Sequence, residues 1–192
     1  MYRLFVALDL PPEIRQQLQE ISGYGIQGAS WVVPENIHLT LKFIGEVDGG
    51  QLEDISGSLS EIRFTAFEMK LKGTGCFPPK GEPRSLWAGV EDDSALAHLA
   101  RKIDQRLVRQ GIPREARKFS PHVTLARLKA SREEHLVSFL TYHSLFQSST
   151  FTVNEFVLFA SVRTPRGSVY QKLRTYRSDQ ADLSSAPREQ PA

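Results

Sequence analysis

The chain is short of several things, and each shortage excludes something. A single cysteine, Cys76, among 192 residues rules out an internal disulfide and suits a reducing cytoplasm. No apolar run approaches the ~20 residues that cross a bilayer, and the run from Leu4 to Leu8 is too short for a secretory signal. A cytoplasmic chain with no membrane partner is expected. Charge of one sign is also lacking. The 24 Lys and Arg nearly balance the 22 Asp and Glu, for a net +2. That excludes a polycationic coat for nucleic acid, though it leaves room for a local basic cleft. What is present in quantity is apolar: 40% of the residues are hydrophobic, enough to core one large domain or two small lobes.

Histidine is scarce too, which makes its placement informative. Five His and nine Thr predict about 0.2 His-x-Thr matches by chance. The chain has two, His38-Leu39-Thr40-Leu41 and His122-Val123-Thr124-Leu125, both in apolar runs that read as strands. Side chains alternate along a strand. His38 and Thr40 therefore share one face, with Leu39, Leu41 and Phe43 on the other. His122 and Thr124 likewise oppose Val123 and Leu125. Each strand shows an imidazole and a hydroxyl in front, roughly 7 Å apart at the Cα, and is apolar behind.

The surroundings of the two tetrapeptides also repeat. Leu4 to Asp9 reads as a strand buried on both faces. Pro11 and Pro12 open a helix striped by Ile14, Leu18 and Ile21. Trp31 to Val33 and Ile37 to Val47 are extended. A second helix carries Leu52, Ile55, Leu59 and Ile62, and Phe64 to Lys72 alternates as a strand. Gly73 to Arg84, rich in Gly and Pro, reads as a connection. Then come a strand from Ser85 to Val90, a helix striped by Leu96, Leu99, Ile103 and Leu107, the second motif strand from Phe119 to Leu128, and a helix at Leu136 to Leu140. A long strand from Phe151 to Val162 pairs as a hairpin with Gly167 to Tyr176. Each half thus runs strand, helix, motif strand, helix, strand. The expectation is one bilobal domain over 1–177, duplicated internally with the second half starting near 85. The polar, aperiodic stretch 178–192 is expected to be a disordered tail.

Two histidines facing one pocket suggest three chemistries. A metal site is poorly served, because each His-x-Thr supplies one good ligand and no Asp, Glu or Cys stands at matching positions. Nucleophilic catalysis by one threonine leaves the pairing unexplained. Acid/base catalysis on a phosphoester uses all four residues. A neutral imidazole deprotonates the attacking oxygen and an imidazolium protonates the leaving one, while the Thr hydroxyls donate to the phosphoryl oxygens. No cofactor and no metal are called for.

Longer stretches add a resemblance. Phe5-Val6-Ala7-Leu8 with Pro11, Trp31-Val32, Glu35 to Val47, Gly75-Cys76-Phe77-Pro78, Pro83 to Val90, Ser120 to Arg127 and the late Gly167, Tyr170 and Leu173 resemble, in order, the RNA 2′,3′-cyclic phosphodiesterases of the two-histidine phosphoesterase superfamily, historically called 2′-5′ RNA ligases. The resemblance covers about residues 1–176. It implies an α+β fold of two pseudo-symmetric lobes of antiparallel sheet with outer helices, the motifs meeting across a central cleft. It implies metal-free hydrolysis of a 2′,3′-cyclic phosphate, on RNA or a small cyclic nucleotide, to a 2′-phosphomonoester, with His38 as proton donor and His122 as acceptor. A monomer is expected. Two alternatives stay open at this point: the same four residues would serve ligation or cleavage of a linear 2′-5′ linkage, and a module that holds nucleotides or RNA ends without turnover would have a similar cleft.

Arg127 is the natural phosphate partner, since guanidinium grips phosphate bidentately, but simple alternation puts it on the Leu125 face, so a bulge or strand end is needed to turn it inward. Lys42 shares the His38 face and is a candidate for the cleft rim. Phe77 and Phe43 are candidates to stack a base, Trp31 and Trp87 less so, and Arg84 is a candidate for the nucleic-acid backbone. His98, His135 and His143 read as surface, and Cys76 as inert packing.

Overall fold

Leu39 and Val123, the apolar partners of the two motif histidines, meet at the centre of the molecule. In the computed structural model they are the one residue pair through which strands β3 (His38–Val47) and β7 (Val123–Leu128) join, and both are fully buried. The structure describes residues 1–23, 25–92, 94–129, 133–165 and 167–179. Most of the tail expected from 178 lies outside them.

The other elements, in chain order, are β1 (Tyr2–Asp9), α1 (Pro12–Glu20), β2 (Ala29–Trp31), α2 (Gly49–Ser60), β4 (Phe67–Met69), β5 (Leu71–Phe77), β6 (Ser85–Val90), α3 (Ser94–Arg109), α4 (Glu133–Tyr142), β8 (Phe151–Val153), β9 (Glu155–Thr164) and β10 (Gly167–Arg177), with a 3-10 turn at Pro34–Asn36. Local chemistry starts the helices where the sequence suggests. Pro12 opens α1. Asp48 caps α2 by accepting from the Gln51 amide at 2.9 Å, while the Gln51 side chain accepts from the Asp48 amide.

The main sheet runs β10-β9-β1-β3-β7-β6-β5, with β2 also paired to β7 and every strand pair antiparallel. A strand has two edges. One edge of β7 is taken by β6. The other holds β3 at Val123 and then β2 from Ala126 to Leu128. β3 therefore leaves β7 after a single pair, and the sheet divides there into two halves. Behind them, α3 meets β3 through Asp104 and Lys42, α2 meets β10 through Ser56 and Tyr176, and Phe139 of α4 packs on Trp31 of β2. Leu39 and Val123 sit at the hinge of this arrangement, where each buried side chain contributes about 1.5–3 kcal/mol.

Three expectations needed correction. The strand expected over 64–72 and the connection over 73–84 are displaced: Leu71 to Phe77 is a full strand, and the glycine that reads as a break has another purpose. A Cβ on Gly75 would lie 2.3 Å from the Trp87 ring, so the indole requires a bare backbone there. The long strand expected over 151–162 is two strands, because Asn154 separates β8, which pairs with β4 in a small second sheet, from β9, which pairs with β1. His143 is buried rather than on the surface, against Phe139 and Tyr142, and burial pushes its imidazole below the usual range.

Candidate active site

The Leu39–Val123 pair determines the site. Both side chains point into the core, so their neighbours His38, Thr40, His122 and Thr124 all point out on the opposite face. Continuing the antiparallel register by one residue sets His38 toward Thr124 and Thr40 toward His122. The four polar side chains thus lie on one face around the seam.

Each imidazole is anchored in the same way. Nδ1 of His38 lies 2.6 Å from the Asn36 carbonyl oxygen, and Nδ1 of His122 lies 2.8 Å from that of Ser120. A carbonyl only accepts, so each Nδ1 carries the proton, and Nε2 of each ring is left to exchange one with a ligand. Among the described residues neither Thr hydroxyl is engaged by a protein partner, so both are available as donors. His38 sits below the usual histidine range. Burial is the main cause, offset by the Asn36 bond and reinforced by the positive fields of Arg15, His122 and Arg127.

Arg127 arrives by a bulge. In the pairing of β7 with β6, Thr124 faces Trp87 and Ala126 faces Leu86, leaving Leu125 as an extra residue. Leu125 and Ala126 are both buried and Arg127 emerges, exposed, on the Thr124 face. The first motif does the same. Thr40 faces Ala7 and Lys42 faces Val6, so Leu41 is the extra residue. Alternation is reset there, and this corrects the placement of two side chains. Lys42 turns inward, 5% exposed, where Nζ donates to Asp104 at 2.6 Å and to the Pro113 carbonyl at 2.8 Å. It is a structural ion pair and no part of the cleft. Phe43 turns outward onto the His38 face, 67% exposed.

The remaining candidates divide. Phe77 is half-buried and meets His122 edge-on at 5.0 Å. Trp87 lies 6.4 Å from His122, beneath it and Phe77. Trp31 faces the other way, into the core against Phe139. Arg84 is exposed at the mouth of the β5–β6 hairpin, where its backbone ties Phe77 to Leu128. Missed at the sequence level is the aromatic box around His38: Phe5 at 5.0 Å, Tyr170 at 5.1 Å and Phe159 at 6.3 Å. Phe5 alternates with Ala7 and Asp9 on the front of β1, which a period-two reading of Leu4 to Asp9 would have separated from the core side. Among the described residues, no three His, Cys, Asp or Glu side chains gather as a metal ion would need.

A split antiparallel sheet with an anchored histidine on each wall defines a two-histidine phosphoesterase. Comparison with known proteins narrows this. The sequence model of the LigT-like phosphoesterases matches residues 8–87 and 89–170, and the chain belongs to that family. It is 36% identical to the RNA 2′,3′-cyclic phosphodiesterase of Archaeoglobus fulgidus over 91% of this chain and 99% of that one. It is 34% identical to the enzyme of the same name from Thermotoga maritima, over 89% and 92%. Among solved structures, Escherichia coli LigT in complex with 3′-AMP superposes with a TM-score of 0.75 at 28% identity, covering 93% of this chain and 99% of that one. LigT has also been crystallised with ATP and with NADP+.

Proposed function

We propose that this chain hydrolyses 2′,3′-cyclic phosphate ends of RNA, or of small cyclic nucleotides, to 2′-phosphomonoesters by metal-independent acid/base catalysis, acting as a cytoplasmic monomer. The names of its relatives support the reaction. The observation that carries the mechanism is the repeated anchoring of His38 and His122, each with Nδ1 held and Nε2 free, on the two walls of one cleft.

In this reading the phosphate lies over the seam, with Thr40, Thr124 and Arg127 donating to its non-bridging oxygens. Nε2 of neutral His122 takes a proton from water as the water oxygen bonds to phosphorus. Nε2 of protonated His38 gives its proton to O3′ as the P–O3′ bond breaks, in line with the attack. Burial disfavours His38 as a cation. The arriving anion reverses that, since a nearby negative charge stabilises the imidazolium. The acid is therefore charged in the presence of substrate. The base of the terminal nucleotide stacks on the exposed Phe43, with the half-buried Phe77 on the other wall, and the chain beyond it runs toward Arg84.

The test is incubation with a nucleoside 2′,3′-cyclic phosphate in excess chelator, followed by ³¹P NMR of the product. A 2′-phosphate formed at full rate is expected. A 3′-phosphate would reverse the orientation of the ribose, and activity lost to chelator but restored by zinc or manganese would overturn the metal-free mechanism.

A further inference from the structure

Asp9, at the end of β1, is paired across the strand with His38 itself. Cross-strand partners point the same way, with Cα atoms about 4.5–5.5 Å apart. A carboxylate at such a position would ordinarily pair with the imidazolium and raise its pKa. Here it is otherwise engaged. Arg15 of α1 donates Nη2 to Asp9 Oδ1, and Lys172 of β10 donates Nζ to Asp9 Oδ2. One cation takes each oxygen. The arrangement is largely enclosed on the Asp9 and Arg15 sides, whose side chains are 16% and 21% exposed, and open at Lys172, which is 56% exposed.

The other charged and titratable groups around His38 do not take over the carboxylate's part. Tyr170 of β10 meets the ring edge-on. From β7 and the residue before it, Arg127 and His122 contribute positive field. Glu35 of the 3-10 turn acts on Arg15, and Glu155, beside Asp9 on β9, is held by Arg177 at 3.7 Å.

We propose that Lys172 is a positioning residue for His38: together with Arg15 it holds the Asp9 carboxylate away from the imidazole, so that the charge that turns His38 into an acid must come from the substrate's phosphate. The consequence is selectivity in time. His38 is not kept protonated by a resident anion, and the phosphate that needs the proton is the group that draws it in. This rests on the acid/base reading for its significance, but its test does not depend on turnover.

The experiment is a histidine NMR titration of the whole protein and of three variants: Lys172→Met, Asp9→Asn and the double variant. Lys172 is half-exposed, so its loss leaves the fold intact, and a melt of each variant checks this. Freeing Asp9 Oδ2 is expected to raise the His38 pKa by about one unit in Lys172→Met. The same substitution in the Asp9→Asn background should move it by less than a third of that. An equal rise in both backgrounds would reduce Lys172 to a distant positive charge, and no rise in either would remove it from the site; both overturn the proposal. The pH profile of kcat/KM then separates this result from the role assigned to His38. If His38 is the acid, its raised pKa moves the alkaline limb upward in Lys172→Met. If the acidic limb moves instead, the roles of the two histidines are exchanged while the positioning by Lys172 stands.

Discussion

Five residues beyond each motif histidine, one wall of the cleft carries Phe43 and the other Arg127. Both are delivered by the same device, an extra residue at Leu41 or Leu125 that resets the alternation of the strand. One position earlier, Lys42 is buried against Asp104 where the other wall has Ala126. The His38 ring stands in a box of Phe5, Phe159 and Tyr170 and is held below the usual range by burial, whereas His122 rests beside Phe77 and over Trp87. Two walls with the same backbone plan thus differ in what they can hold. In the proposed reading the first offers the exposed Phe43 ring to a nucleoside and the second the Arg127 guanidinium to a phosphate.

The largest test of this contrast is removal of the features the walls share. His38→Ala and His122→Ala should each lower turnover by about 10²–10⁴, the usual worth of a positioned acid or base. A histidine variant with near-normal turnover would take that residue out of the mechanism. Next comes the pair that differs. Arg127→Ala should weaken inhibition by inorganic phosphate by about 10–100-fold, the loss of a hydrogen bond to a charged group at ~1.5–3 kcal/mol, and Phe43→Ala should leave that inhibition unchanged. Against a nucleotide both should lose affinity, since stacking on an aromatic is worth about 1–3 kcal/mol. Equal effects of the two variants on phosphate alone would contradict the division of labour.

A third prediction strikes one wall only. Gly75→Ala places a methyl into the Trp87 ring and should destabilise the fold by about 1–3 kcal/mol, with altered tryptophan fluorescence and a shifted His122 resonance. The His38 resonance should hold still; if both histidines move equally, the walls are coupled more tightly than their packing indicates. The smallest effect concerns pH. A histidine whose folded pKa lies below its unfolded value loses stabilisation as pH falls through the unfolded pKa of about 6.5, because the unfolded chain takes the proton first. His38 and the buried His143 both have lowered values. Melting temperature should therefore drop modestly between pH 7 and 5, and less so in His38→Gln. Direct titration should place His38 below 6.5 in the free protein and higher with bound phosphate; an upward shift without phosphate would show that burial does not govern this ring.

Much of this was legible in the residues. Period-two alternation placed His38 with Thr40 and His122 with Thr124, and the apolar backs of the strands marked the core. What alternation cannot contain is a bulge, which exists only in the pairing of one strand with another. For that reason Lys42 was placed on the wrong face, while Arg127 could be turned inward only on condition. The aromatic box around His38 was hidden for a related reason: Phe5, Phe159 and Tyr170 are far apart in sequence and meet only through the β1–β9–β10 register. Gly75 read as a break because a sequence does not show that an indole lies over it.

The order of strands in the sheet has a consequence for how the protein comes into being. β5, from before residue 85, completes the His122 wall, and β9 and β10, from the last part of the chain, complete the His38 wall. During synthesis the His122 wall has all its strands once β7 has emerged, whereas β1, which can pair with β3 early, must wait for β9 more than a hundred residues downstream. Such long-range pairing is slow to form. The His38 wall is therefore the last part of the sheet to be completed, when the first strand is joined by the ninth.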